Sequence, residues 1–282
     1  MNLSPIVDAE KWRNDHADKP IVEFIHVSFT SGGHTVLDDI SFKVSSGETR
    51  ILLGRSGSGK SVLLKLTDGL LAPDSGTIRV FGKDLAALHQ PELFALRQNI
   101  GIVFQDGALF DSLSVRDNVA YQLLENKIPQ QEIESRVVDV LRFVDLEDKI
   151  NAFPPELSGG MQRRVAVARA IVNEPELLLY DSPTGGLDPV TSESIMELVI
   201  KQRDVRGSSS LLITERLQDA FICATHRFDH VSGKLIKLPD GQEDKNTTYL
   251  VLNNGKILFD GSTLDLVHSK DRFIRSFLDL TL

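Results

Sequence analysis

Gly54-Arg55-Ser56-Gly57-Ser58-Gly59-Lys60-Ser61 follows a short apolar run over 50–53 and leads into a helical pattern over 60–71. The spacing is G-x-x-x-x-G-K-S in a strand–loop–helix setting, which predicts a phosphate-binding loop rather than a Gly/Ser linker. The glycines let backbone N–H groups turn inward around a polyphosphate, and the helix start adds about half a positive charge. In such a loop Lys60 reaches the β- and γ-phosphates, and the Ser61 hydroxyl ligates Mg²⁺. The expected cofactors are therefore ATP and Mg²⁺, held by every residue of this octapeptide.

About 120 residues downstream, Leu177-Leu178-Leu179-Tyr180 ends in Asp181. A continuous apolar run of this kind predicts a parallel strand buried on both faces. It would carry Asp181 to the strand's C-terminal edge beside the phosphate loop, as a Mg²⁺ ligand. Around these two anchors, 21–44 reads as two β-rich runs about the turn Thr30-Ser31-Gly32-Gly33, and 76–81 as a further β-turn-β stretch. Strands are expected at 100–104 and 209–214, and a helix at 192–202. Residues 106–173 read as mainly helical, with Leu123, Ile133, Val137, Val140, Leu141 and Val144 on one buried face. The order implies an α/β fold, a P-loop NTPase sheet core with an inserted helical subdomain. A polar loop or hairpin is expected at 235–246, before a strand at 249–252. An amphipathic helix is expected at 263–280, bearing Leu264, Leu266, Val267, Phe273, Ile274, Phe277 and Leu278 on one side.

The 282 residues are 41% hydrophobic and 25% charged, enough to bury a real core. A net charge of -9 argues against a chain that coats nucleic acid or anionic lipid. Cys223 has no second cysteine to pair with and is expected as a small buried hydrophobe, in keeping with a reducing cytosol. No run approaches the ~20 apolar residues of a membrane span. Residues 1–20 are polar and read as a loose arm without a signal peptide's apolar stretch. A cytoplasmic location is expected, with any membrane role exerted through a partner.

Leu157-Ser158-Gly159-Gly160-Met161 adds a third motif, in which Ser158 can cap a helix while Gly159 and Gly160 offer backbone N–H groups to an anion. These three motifs, in this order, resemble those of ABC transporter ATPases over about 21–262, with a helical subdomain at about 90–173 and a C-terminal helix at 263–282. The resemblance implies an ABC ATPase fold. It also implies a working unit of two nucleotide domains, homodimer or heterodimer, in which the signature of one subunit closes on ATP held by the other. Here the signature reads LSGGM where the family has LSGGQ. By the same resemblance Phe29 stacks on adenine, and Gln105 senses the γ-phosphate and the metal while facing integral membrane permease subunits. Asp188, in Gly186-Leu187-Asp188, lies in the loop that passes signals between sites. The wording Gln105-Asp106-Gly107-Ala108-Leu109-Phe110 and Asn118-Val119-Ala120-Tyr121 resembles the Mla/Mce branch, which moves phospholipids or other lipids and implies lipid-binding Mce-type partners. The chain would sit peripherally on the inner face of the membrane.

Two positions depart from the family. The glutamate that orients and deprotonates water is Ser182, and the histidine contacting the γ-phosphate is Glu215; Thr225-His226 lies too far downstream to replace it. Both positions are expected in the catalytic centre. A general base is worth about 100- to 10,000-fold, so binding should persist while turnover slows. Ser182 and Glu215 can be natural losses complemented by an intact second subunit, engineered changes that trap the ATP-bound dimer, or a carboxylate relocated across the site. An ATP-dependent regulatory or scaffolding subunit is the alternative function. A soluble ABC protein acting on ribosomes or DNA fits less well, because such chains carry two nucleotide domains or a long coiled coil.

Overall fold

A computed structural model describes residues 19–279. The N-terminal stretch read as an arm falls almost entirely outside them. The chain opens with β1 (Pro20–Ser31) and β2 (His34–Ser45), which turn back through Gly32 and Gly33 at positive φ as the sequence predicts. Next come β3 (Thr49–Gly54), α1 (Lys60–Thr67), β4 (Ser75–Val80) and β5 (Lys83–Asp84). α1 is a turn shorter than expected. Asp68 caps it, and the N–H groups of Leu70 and Leu71 both return to the Lys65 carbonyl.

A helix, α2 (Gln90–Arg97), precedes β6 (Ile100–Val103). The inserted helices follow as α3 (Val115–Glu125), α4 (Gln130–Phe143) and α5 (Gly159–Ile171). The six apolar residues assigned to one helical face are all buried. The stretch 90–173 is not wholly helical, however, since β6 inside it pairs with the buried strand β7 (Leu177–Asp181). Then come α6 (Pro189–Arg206), β8 (Ser209–Ile213), α7 (Leu217–Thr225), β9 (His226–Asp229), β10 (Lys234–Lys237), β11 (Thr247–Asn253), β12 (Lys256–Gly261), α8 (Thr263–Val267) and α9 (Arg272–Asp279).

Among the described residues the central sheet runs β12-β11-β3-β8-β7-β6, parallel except for β12. Side-chain alternation sorts its residues between two cores. Ile51, Leu53, Leu178, Tyr180 and Leu212 point to the helical side. Leu52, Leu177, Leu179, Leu211 and Ile213 point to α1 and the antiparallel sheet β2-β1-β4-β5. Burial on both faces is why these strands read as unbroken apolar runs. The single cysteine, Cys223, is buried as expected.

Two C-terminal expectations need correction. The hairpin β9–β10 occupies His226 to Lys237, starting before the predicted 235–246, and 238–246 is the connector to β11. Buried Arg203 fixes both ends of this insert, donating to the Cys223 and His226 carbonyls at 2.6 and 2.9 Å and to Asp244 at 3.2 Å. The predicted single helix over 263–280 is two helices. Asp271 accepts from the N–H groups of Phe273 and Ile274 and restarts the chain as α9, leaving Leu264 and Val267 exposed while Leu266 and Ile274 are buried.

Candidate functional site

β3, β8, β7 and β6 are parallel neighbours, so their C-terminal ends open on one edge of the sheet. Each delivers one segment: the glycine loop, Glu215, Asp181-Ser182 and Gln105. The loop between β3 and α1 needs its glycines sterically. A Cβ at Gly54 would lie 2.5 Å from the Leu252 carbonyl oxygen and 2.7 Å from Ser58 Oγ, and Gly59 has φ +102. The first amides of α1 have no intrahelical acceptors, and no side-chain cap satisfies them. Ser58 Oγ is buried without a partner among the described residues. Free amides, an orphaned hydroxyl and a backbone too tight for a Cβ fit a polyphosphate.

Lys60 is buried at 6% exposure, and its ammonium donates to the Gly54 and Arg55 carbonyls at 2.8 Å each and to Glu215 Oε1 at 3.1 Å. Ser61 Oγ donates to Asp181 Oδ1 at 3.3 Å, which joins the loop to β7 as the sequence predicts. Burial pushes the Asp181 carboxyl above its ordinary range, against the Ser61 hydrogen bond and the charges of Lys60 and Lys65. A cleft of about 250 Å³ runs between these elements, lined by Ser56, Gly57, Gly59, Lys60, Ser61, Gln105, Ser182 and Glu215. Five residues of the octapeptide and three from the ends of β6, β7 and β8 are thus gathered in one cavity. Three oxygen- or amide-bearing side chains, Ser61, Asp181 and Gln105, suit a hard cation that completes its shell with phosphate oxygens.

The two departing positions face this cleft. Ser182 has φ 47, the left-handed region, with its N–H bonded to the Ile213 carbonyl at 3.0 Å. Gln105 sits against Gly185, where an added Cβ would be 3.3 Å from Gln105 Cγ. Buried Arg163 ties the two strand ends together, donating to the Phe104 carbonyl at 2.7 Å and the Gly185 carbonyl at 3.4 Å. His226 is not in the cleft; its ring meets the Thr225 hydroxyl at 3.0 Å on the hairpin.

A family model described as "ABC transporter" matches residues 37–185, which is more than half of the chain. The chain belongs to the ABC transporter family. The Methionine import ATP-binding protein MetN 1 of Bacillus thuringiensis is 36% identical over 92% of this chain and 73% of its own length. The Intermembrane phospholipid transport system ATP-binding protein MlaF of Escherichia coli is 34% identical over 92% of this chain and 88% of its own. Among solved structures, cbiO1 from Clostridium perfringens, part of the ABC transporter complex cbiONQ, superposes with a TM-score of 0.75 at 26% identity, covering 93% of this chain and 99% of that one. A dimeric post-hydrolysis state of the ATP-binding cassette MJ0796, bound to ADP and Pi, gives 0.71 at 27% identity over 86% and 98%. The molecule is an ABC-type ATP-binding subunit, an ATPase with the ABC ATPase fold.

The remaining ABC motifs lie outside this chain's own cleft. Ser158 caps α5 by accepting from the Met161 N–H at 3.3 Å, while Gly159 is exposed and Gly160 is half-exposed. A Cβ on Gly160 would come within 2.5 Å of Thr191 Cγ2, so the signature helix presses on the start of α6. Asp188 caps α6 through the Thr191 N–H at 3.0 Å, and hydrogen bonds from Thr191 and from that cap hold its carboxyl below the ordinary range. Signature and signal loop are therefore neighbours on one surface. Phe29 is half-buried on β1 opposite Leu37 and does not line the cleft, although Val36 does. Arg55 supplies a backbone carbonyl to Lys60, and its guanidinium stacks 5.3 Å from the Phe273 ring of α9.

Two features depend on contacts that the sequence does not show, although the residues of the second lie in stretches already singled out. Buried Asp219 accepts from Thr184 and from Thr214 Oγ1, bracing the ends of β7 and β8 through residues far apart in the chain. A second cavity of about 310 Å³ lies beyond β6, walled by Phe104, Ala108, Phe110, Tyr121 and Arg169. Phe104, Phe110 and Tyr121 are each more than 40% exposed, while Asn118, Val119 and Ala120 are buried. The Asn118 side chain shapes this wall by bonding the N–H and carbonyl of Phe110 and the carbonyls of Leu113 and Ser114.

Proposed function

We propose that residues 21–262 form a nucleotide-binding unit that holds MgATP at the interface of two copies or two related subunits and drives a membrane permease. The observation that carries this is the convergence of Lys60, Ser61 and Asp181 on one glycine cradle with a 3.3 Å contact between the last two. Lys60 and the loop amides would hold the phosphates, Ser61, Asp181 and Gln105 the metal, and Phe29 the adenine face. Mg²⁺, when bound, offsets phosphate charge. Ser158, Gly159, Gly160 and Asp188 would meet the nucleotide of the opposite subunit. Among the described residues no helix is long and apolar enough to cross a membrane. Contact with a bilayer is therefore assigned to the permease, seated against the aromatic cavity of Phe104, Phe110 and Tyr121.

The cargo we assign to that permease is phospholipid or another lipid of the cell envelope, with Mce-type lipid-binding subunits as further partners. Support comes from the MlaF relative, matched over 88% of its length, and from the residues around Gln105 and Asn118. Methionine import is the second reading, favoured by the 36% identity to MetN 1. Hydrolysis is slow, because Ser182 cannot take a proton from water at neutral pH and Glu215 is engaged by Lys60. Copurification of the full complex, followed by lipid extraction and amino-acid analysis, separates the two cargoes. Nucleotide binding that survives Lys60→Ala undiminished would refute the cradle itself.

A further inference from the structure

We propose that Glu215 sets the nucleotide preference of the cradle, penalising a triphosphate relative to a diphosphate by keeping a carboxylate charge where the added phosphate must sit. The inference rests on the cradle assigned under Proposed function and goes beyond it in naming what the cradle prefers. A lysine ammonium has three donors. Here two go to the Gly54 and Arg55 carbonyls and the third to Glu215 Oε1. A phosphate oxygen that binds Lys60 must displace one of them. The two carbonyls belong to the loop whose tight glycine geometry forms the cradle, so they are costly to move. Glu215 is the mobile partner: its side chain is 50% exposed, whereas that of Lys60 is 6% exposed.

Displacement does not remove the carboxylate's charge from the neighbourhood. Glu215 lines the same cleft as Gln105 and Ser182, and its backbone follows the buried strand β8, so only its side-chain torsions can carry it away. Among the described residues that line this cleft, Lys60 is the cation. Its charge is shared with Glu215 before any ligand arrives. A diphosphate needs Lys60 for its last phosphate. A triphosphate brings a further phosphoryl group, with its added negative charge, to the ends of β7 and β8 where Glu215 stands. The added charge is what the carboxylate opposes, so the penalty falls mainly on the triphosphate. The histidine that the family resemblance places here would not exert it.

The test is equilibrium titration of the full chain with ADP, and with a β,γ-imido triphosphate so that turnover plays no part, each with Mg²⁺. Two unit charges about 4 Å apart in bulk water already correspond to roughly a 5-fold change in affinity. Glu215→Gln is therefore expected to tighten the triphosphate by at least about 5-fold and the diphosphate by less than about 2-fold. Glu215→Ala should do the same, and the shift in ratio should shrink as salt is raised. Because Glu215 is exposed, both variants should melt like the parent. Equal changes for the two nucleotides, or none, would overturn the selectivity while leaving the cradle standing. Failure of both nucleotides to bind parent and variants alike would overturn the cradle, and the selectivity with it.

Discussion

Replacing Ser182 with glutamate puts a carboxylate at the end of β7, on the wall of the cleft that also holds Lys60 and Gln105. The backbone is ready for it. Ser182 already sits at φ 47, and its N–H and carbonyl are bonded to Ile213 and Gly185, so one non-glycine residue replaces another without added strain. A positioned general base contributes about 100- to 10,000-fold, or about 3–5 kcal/mol at 1.36 kcal/mol per decade. Against this stands Glu215, whose like charge would cost about 1 kcal/mol in bulk water and about 4 kcal/mol at an effective dielectric of 20, if the carboxylates lie ~4 Å apart. With the solvent-screened cost of about 1 kcal/mol, about 5-fold, Ser182→Glu alone should therefore raise turnover by about 20- to 2,000-fold, and the pair Ser182→Glu with Glu215→His should recover the full gain. Single-turnover phosphate release with Mg²⁺ measures both, and Ser182→Gln controls for side-chain size. If neither the single nor the double variant exceeds Ser182→Gln, the missing base is not what limits hydrolysis.

Gly160→Ala forces a methyl group to within 2.5 Å of Thr191 Cγ2 and should cost about 1–3 kcal/mol, read as a lower urea midpoint, with Thr191→Ser partly restoring it. Burial pushes the Asp68 carboxyl up to about 6 from 3.8, with the Arg97 charge opposing it. The folded chain thus holds this proton more tightly than the unfolded one, and stability should fall by about 3 kcal/mol as pH rises from about 4 to about 6. Asp68→Asn should flatten that part of the urea-midpoint profile relative to the parent. Phe273→Ala removes the face on which Arg55 stacks, about 0.5–1 kcal/mol for that contact, together with the packing of this half-buried ring on the core, and should speed hydrogen exchange in α9 and the phosphate loop together.

The fold was legible where one physical demand fills a whole segment. A strand buried on both faces must be apolar throughout, so β3, β7 and β8 stand out, and a loop without room for a Cβ must use glycine. The motif residues Lys60, Ser61 and Asp181 follow from those two facts. What stayed hidden depends on contacts between distant segments. Asp219 in α7 is one polar residue in a helix until Thr184 and Thr214 are seen around it. β6 was readable as a strand, but its short run gives no sign that it joins the sheet next to β7 rather than the helical block. The break between α8 and α9 is a local capping event at Asp271 inside a pattern whose apolar spacing continues across it.

The two departures from the family are one arrangement rather than two. β7 and β8 pair so that Asp181 stands opposite Ile213, and the Ser182 N–H closes onto the Ile213 carbonyl. Ser182 after β7, where the family resemblance implies a carboxylate, and Glu215 after β8, where it implies a histidine, therefore border the same cleft. Moving the charge changes its partner. A base after β7 would follow Asp181 on the strand that carries the proposed metal ligand, whereas Glu215 accepts a hydrogen bond from Lys60 at 3.1 Å. To serve as base it would have to leave the ammonium, turn toward water and keep its charge beside the phosphate that Lys60 had taken over. Each step runs against the Coulomb term that holds it now. Glu215 is thus suited to contest the terminal phosphate and poorly suited to activate water. On the function proposed above, a subunit built this way supplies binding energy to its complex, and the Ser182→Glu variant tests whether a carboxylate after β7 restores rapid hydrolysis.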